Sequence, residues 1–510
     1  MLTSLLSVFT IPVMQKHAII IGSGIGGLTA ASYLRQAGFS VDVYESQSAC
    51  GGKAQSLTAK GYRFDTGPSV FTMQDEFSHI FSELGESIQE HLSLLPLDPM
   101  FSYWWQDGSR ADISPGAAGL HALGKQLGIA RQSIEAYIQS CEKIYRTTHT
   151  LFLRHSLHNP QTYLHRDFWR ALPGLPAIQA MKTMHDLNAG FFTDPRMQQF
   201  ADRYATYNGS SPYLTPATMN IISYVENIQG AMTLKGGTYA LPKALEAIAR
   251  KKGVRFHYNT PVDSILFESS GRRTSRVVGV MAEGNKRAAD IVVSNVDVET
   301  TYTKLLQAPD DPMLKKYLKH KPSSSVIVWY LGVGKQFSHL ALNNIFFSRD
   351  YRTEFDQIFN RNQVPDDPTL YINITSKACP EDAPDYGENW FVLVNTPPHD
   401  GRNWEADAQL VYQRIIERMS RVLNCNIADY IEYAEVLTPL DIQTRTASRQ
   451  GSIYGISSNT RTAAFARHPN RSKQYSGLYL CGGSTHPGGG MPMVSLSGRI
   501  AARLAIGDHA

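Results

Sequence analysis

Gly22, Gly24 and Gly27 follow the apolar run His17–Ile21 and open a segment in which Leu28, Ala31 and Leu34 recur at helical spacing. A GxGxxG turn between a strand and a helix is suited to a pyrophosphate, because the first backbone N–H groups of the helix have no internal partner and the helix dipole favours an anion there. Gly22 permits the tight turn, Gly24 a close approach of the ligand, and Gly27 close packing of helix on sheet. Ile25 and Gly26 share the loop. Glu45 ends the next strand, Val41–Tyr44, roughly twenty residues further on, where its carboxylate can accept from both hydroxyls of a ribose and repel a 2′-phosphate. The unit therefore reads as a dinucleotide site. By itself it does not separate FAD from NAD.

The elements that position this loop form a βαβ unit closed by Gly38, and they imply a doubly wound α/β domain. A chain of 510 residues is too long for one such domain. Short β-like runs return at Val254–Tyr258, Ser264–Phe267, Val277–Met281 and Ile291–Val293, and Leu478–Leu504 reads as strand, Gly-rich turn and helix. These segments predict a discontinuous nucleotide-binding domain over residues 14–100, 236–300 and 440–510. Residues 101–235, helical and aromatic, and 301–439 form the remaining, mixed α+β domain. Within it Val326–Leu331 and Trp390–Val394 read as strands flooring a cavity, separated by Pro- and Asp-rich loops such as Val364–Pro368. Phe101, Tyr103, Trp104 and Trp105 suit either a hydrocarbon tunnel or an ordinary core.

Composition narrows the function classes. With 49 basic against 45 acidic residues the net charge is only +4, which argues against nucleic acid as a partner. Cys50, Cys141, Cys379, Cys425 and Cys481 form no CxxC pair; their odd number argues for a reducing cytoplasm, and they lack the spacing of a structural metal site. No apolar run reaches the roughly 20 residues of a membrane-spanning helix. Lys315, Lys316, Lys319, His320 and Lys321 form a basic cluster, read as a solvated helix face or as a contact to anionic headgroups. Residues 1–13 are apolar without a basic leader or cleavage site and read as an extension ahead of Met14, with a membrane-touching segment as the alternative.

Gly51-Gly52-Lys53-Ala54, Phe64–Pro68 and the terminal run Cys481-Gly-Gly-Ser-Thr-His486-Pro-Gly-Gly-Gly490-Met491-Pro492 together resemble bacterial carotenoid desaturases of the phytoene desaturase family, within the FAD-dependent amine oxidase-like superfamily. The blocks Arg203–Pro212, Lys235–Tyr239 and Asp290–Asn295 fit the same family, so the resemblance spans nearly the whole chain from Met14. The terminal run looks closer to the branch acting on acyclic carotenoids later in their pathways, the hydroxycarotenoid 3,4-desaturases and diapocarotenoid desaturases or oxygenases, than to phytoene desaturase itself.

The resemblance implies a Rossmann-like FAD-binding domain, a substrate domain with a helical membrane-facing lobe, and FAD held by Gly22, Gly24, Ile25, Gly26, Gly27, Glu45, Gly51, Gly52, Lys53, Gly482, Gly483, Gly490 and Met491. Val262 takes the family position whose backbone meets the adenine. The implied activity is desaturation of an acyclic carotenoid such as phytoene, neurosporene or a hydroxylated derivative, by a cytoplasmic enzyme attached peripherally to a membrane and reoxidised by oxygen or a quinone. His486 in the flavin-facing loop, and Arg203 and Tyr207 in the substrate domain, are the groups that could handle a proton; bracing, ion pairing and cavity wall are their respective alternatives. A carotenoid isomerase, polyprenyl saturase or amine oxidase on the same scaffold, and a flavin-free lipid binder like the GDP-dissociation inhibitors, remain open at this stage.

Overall fold

The computed structural model describes residues 15–269 and 275–509. The reading of residues 1–13 lies outside them. A first strand, β1 (His17–Ile21), a helix α1 (Ile25–Gln36) and a second strand β2 (Ser40–Tyr44) build the unit that the spacing predicts. β1 is the middle of a five-stranded, wholly parallel sheet in the order Leu478–Leu480, Ile291–Ser294, β1, β2, Arg255–His257. Ile19, Ile20 and Val43 are buried on both faces of this sheet, which is why these strands read as continuous apolar runs rather than alternating ones.

Every residue of α1 from Ile25 to Leu34 is buried, because the helix lies between the sheet, the helix Ala240–Lys251 and the helix Met491–His509. The crossing with Met491–His509 is close: a Cβ at Gly498 would stand 2.1 Å from the Gly26 carbonyl oxygen, so only glycine fits. The end of the chain thus packs directly on its first helix.

The β-like runs after residue 253 divide between two sheets. Arg255–His257 and Ile291–Ser294 join the parallel sheet, while Val262–Ser269, Ser275–Ala282 and Asn285–Ala288 form a separate antiparallel meander. A third, seven-stranded sheet runs Ile431–Leu437, Ser325–Val333, Glu388–Thr396, Leu370–Ile374, Asn343–Phe346, Phe101–Trp104, Arg110–Ile113. The two strands expected to floor a cavity are its antiparallel neighbours, with Tyr330 opposite Phe391. The segment beginning at residue 101, read as helical, opens instead with two strands of this sheet. Phe101–Trp104 lies parallel to Asn343–Phe346, a pairing across more than two hundred residues that local pattern does not reveal. Between these strands and residue 235 the chain is mostly helical, as expected. Among the described residues no helix is long and apolar enough to cross a membrane.

Candidate active site

Gly24 caps α1 without a side chain that could satisfy the first-turn N–H groups, and no acidic residue stands in that turn. Gly24, Ile25 and Gly26 therefore present donors to the cavity they line. Gly27 sits behind them; a Cβ there would lie 2.1 Å from the Gly22 carbonyl oxygen, which fixes the turn against its own helix. Gly51 is seated on this loop by its N–H, which donates to the Ser23 carbonyl at 3.0 Å. Glu45 is buried yet lines the cavity, with one oxygen accepting from the Ser23 N–H and hydroxyl at 2.7 and 2.8 Å and the other from the Gln47 N–H at 2.9 Å. The Ser46 hydroxyl adds a longer contact of 3.3 Å to that second oxygen, and with about four lone-pair sites on a carboxylate it is this contact that a ribose hydroxyl would displace.

A second helix N-terminus opens onto the same cavity. Gly482, Gly483, Gly490 and Met491 line it where the helix Met491–His509 begins, so two sets of helix N–H groups converge on one space. Asn295, at the end of the strand Ile291–Ser294, wedges between them: its side chain lies within 3.0 Å of where Cβ atoms would stand on Gly24, Gly26 and Gly482. Lys53 also lines the cavity, its Nζ donating to the Ser452 carbonyl at 2.9 Å. Burial pushes its ammonium down to about 8, opposed by Asp297. Val262 starts the meander two residues after Thr260, whose N–H donates to the Glu45 carbonyl at 2.8 Å, and stands outside the cavity wall.

The cavity, about 1120 Å³, continues without interruption from these glycines to an apolar wall that includes Leu151, Phe152, Val225, Ile345 and Phe391. Of the four aromatic residues near the start of the substrate region, only Phe101 faces it. Tyr103 and Trp105 are core, and Trp104 stacks on Phe346 at 5.4 Å. Tyr163 and Phe465 line the cavity while exposed by 39 and 52%, which marks its mouth, and Phe168 and Leu175 also line it.

His486 lines the cavity beside the Gly-rich turn and is buried. Burial pushes its imidazole down to about 3, so the ring is neutral at physiological pH. Its Nε2 bonds the His155 carbonyl at 2.8 Å, which makes Nε2 the N–H and leaves Nδ1 an acceptor without a partner among the described residues. His155 in turn contacts Asp167 at 3.0 Å, and Asp167 contacts His165 at 3.1 Å, a polar cluster that fastens the rim of the mouth to the turn.

Arg203 and Tyr207 meet elsewhere on the wall. They share the short 3₁₀ segment Arg203–Asn208, and both side chains converge on the fully buried carboxylate of Glu226, to which the guanidinium and the Tyr207 hydroxyl donate. Arg203 Nε also donates to the Tyr103 hydroxyl at 3.0 Å, and the guanidinium lies 4.5 Å over the Phe101 ring. Burial opposes the guanidinium charge; Glu226 and the surrounding tyrosine hydroxyls more than offset it and keep Arg203 protonated. Burial, and then the Glu226 charge, hold the Tyr207 phenol well above its usual range. Glu226 escapes sequence reasoning, since nothing local marks a lone glutamate in an aromatic helix. Asn208, with both amide atoms unpartnered, faces the cavity from the same segment.

The comparisons agree with this geometry. Residues 25–506 match the family described as flavin containing amine oxidoreductase. A 1-hydroxycarotenoid 3,4-desaturase from Flavobacterium is 39% identical over 96% of this chain and 99% of its own. A 4,4'-diapolycopene oxygenase from Methylomonas is 32% identical over 97% and 99%, and a 4,4'-diaponeurosporene oxygenase from Staphylococcus aureus 31% over 96% and 98%. Solved structures share the fold at low identity: an oxidoreductase from Methanosarcina mazei (TM-score 0.60, 17% identity, 95% of this chain and 99% of that one) and a triple mutant of putrescine oxidase redesigned in cofactor binding (0.62, 15%, 97% and 99%). The paired helix N-termini and Glu45 fit FAD, and the chain belongs to the flavin-containing amine oxidoreductase family as an FAD-dependent oxidoreductase.

Proposed function

We propose that this protein desaturates an acyclic carotenoid, a reading supported by the relative named as a 1-hydroxycarotenoid 3,4-desaturase, beside relatives named as oxygenases of diapocarotenoids. The observation that carries the reading is the single cavity that joins the dinucleotide cradle to a long apolar wall and a hydrophobic mouth. The N-termini of α1 and Met491–His509, with Gly51 and Gly52 between them, hold the diphosphate; Glu45 takes the ribose, and Lys53 adds a positive charge. Bound FAD supplies the acceptor for a hydride and so carries the redox step.

The protein's own task is then to align a C–H bond, exclude water and leave charge to spread along the polyene. The apolar wall does this without a hydrolase-type set of charged groups. In this reading neutral His486 braces the Gly-rich turn against the rim and presents Nδ1 to the cavity, while Arg203 and Tyr207 bind substrate.

The substrate is dissolved in lipid, so we place the enzyme in the cytoplasm, docked on a membrane. Around the mouth, Leu164, Met181, Trp169 and Phe465 are exposed by 81, 71, 61 and 52%. Such a patch of large apolar side chains marks an interaction surface. Arg166 and Arg170 flank Trp169, and burial first, with the nearby Lys316 charge adding to it, lowers His158, whose Nε2 meets the Phe465 carbonyl at 3.2 Å. These cations suit anionic headgroups. Oxygen or a quinone reoxidises the flavin.

The test is incubation of FAD-loaded protein with phytoene, neurosporene and a hydroxylated acyclic carotenoid in liposomes, with products separated by chromatography. A new double bond in at least one of them is expected; no product from any would refute the reading.

A further inference from the structure

Tunnels for pure hydrocarbon have no use for a charge, yet this one carries the Arg203–Glu226 pair at its wall. Burying two charges costs several kcal/mol per ion before their attraction is counted, and a packed apolar pair of similar volume would often be as stable. Stability alone therefore does not explain the pair. Its donor balance is suggestive. A guanidinium has five N–H donors. Nε donates to Tyr103, Nη2 to Glu226 and to Tyr204 (3.4 Å), and Nη1 makes a single long contact of 3.5 Å to the Tyr207 hydroxyl. One Nη1 N–H is left without a partner among the described residues, on a residue that lines the cavity. Tyr207, also on the wall, donates its proton to Glu226, so its oxygen keeps one lone pair beyond the one that Nη1 approaches.

The two groups offer one donor and one acceptor side by side, the complement of an alcohol. Resting on the reading of the protein as a carotenoid desaturase, we propose that Arg203 and Tyr207, held by Glu226, form an end-group subsite that binds a hydroxyl at the terminus of the substrate. The hydroxyl oxygen accepts from Arg203 Nη1 and its proton goes to the Tyr207 oxygen as a hydrogen bond; no covalent step is involved. A hydrocarbon terminus would leave the Nη1 donor desolvated and unpaired, which is how a site built for a hydroxyl rejects a substrate lacking one.

The segment bearing the subsite ends at Gly209, whose carbonyl accepts from the Ser324 N–H at 2.9 Å. The neighbouring Ser323 N–H donates to the Gly455 carbonyl at 2.7 Å, and a Cβ at Gly455 would lie 2.8 Å from the Ser484 Cα in the Gly-rich turn. The subsite is thus tied to the flavin-facing turn.

The test compares two acyclic carotenoids that differ only in a terminal hydroxyl, titrated into FAD-loaded protein and followed by the circular dichroism that the bound polyene acquires. The hydroxylated compound is expected to bind the natural protein about 10- to 100-fold more tightly. In Tyr207→Phe this preference falls to within about threefold, and in Glu226→Gln it also falls, because the hydroxyl loses its oriented partners. Equal affinity of the two compounds for the natural protein overturns the proposal, as does a Tyr207→Phe variant that weakens both in proportion; the first comparison decides even if the variants fail to fold. Product analysis on the same samples separates the two readings. Preferential binding without turnover sinks the desaturase reading and spares the subsite, whereas turnover of both compounds without preference does the reverse.

Discussion

The dinucleotide cradle and the substrate cavity are continuous in space but are built from opposite materials. The cradle is almost all backbone: glycines, two helix N-termini and one carboxylate, Glu45, brought together by strands that are neighbours in a parallel sheet. The cavity beyond it is almost all side chain, with aromatic and aliphatic walls into which the buried Arg203–Glu226 pair is set, assembled from a seven-stranded sheet and a helical region. The contrast follows from the ligands. A diphosphate must be held by many short, fixed donors. A polyene needs only a dry, shaped channel, and selectivity there must come from the few polar groups present.

The strongest way to break the comparison is at the cradle. In Gly27→Val the side chain has no room beside the Gly22 carbonyl, and the purified protein is expected to lose its flavin, with absorbance near the roughly 450 nm band of the cofactor falling to background. Retention of full flavin content would show that side chains can replace backbone there after all. At the far end of the cavity, Leu164→Asp with Trp169→Asp is expected to weaken sedimentation with anionic liposomes at least about tenfold, since each residue removes an apolar side chain worth roughly 1.5–3 kcal/mol of burial, while flavin content is unchanged. Undiminished liposome binding would detach the mouth from the membrane.

Lys53 sharpens the boundary between the two regions. Its ammonium titrates at about 8 because burial disfavours the charge, and an anionic cofactor beside it raises that value. The cofactor-bound state then holds the proton to higher pH. FAD affinity is therefore expected to be full below about pH 8 and to decline several-fold above it, a dependence that Lys53→Met abolishes in equilibrium titrations. A pH-independent affinity in the natural protein would contradict this.

The smallest effect concerns a tether between the regions. Burial favours protonated Glu76, but hydrogen bonds from His149 and Arg154 hold it down at about 2. A depressed acid contributes stability above its unfolded value, near 4.5, and loses it as pH falls toward 2. Glu76→Gln should lower Tm by a few degrees at pH 7, with the gap closing in acid; a pH-independent gap would deny the tether an ionic role.

Legibility in the sequence divides along the same line. The βαβ unit, the second glycine pair and the terminal Gly-rich turn are each local, so spacing and residue type reveal them. The strands of the parallel sheet are each legible as short β-like runs, but nothing in those runs tells them from the strands of the antiparallel meander, because β propensity says nothing about pairing partners. Phe101–Trp104 looked like tunnel wall or core; its membership in a sheet depends on Asn343–Phe346, far along the chain. Arg203 and Tyr207 were visible as a block, but their meaning waits on Glu226, which only the fold brings to them.

The contact between Gly498 and Gly26 also bears on biosynthesis. The helix that covers α1, and the strand that forms one edge of its sheet, lie more than four hundred residues along the chain from the glycine loop, so that loop is synthesised long before the second half of the cofactor cradle. Flavin loading is accordingly expected only once the helix Met491–His509 has packed on α1, and a product truncated ahead of that helix would emerge colourless however well its first domain had been made.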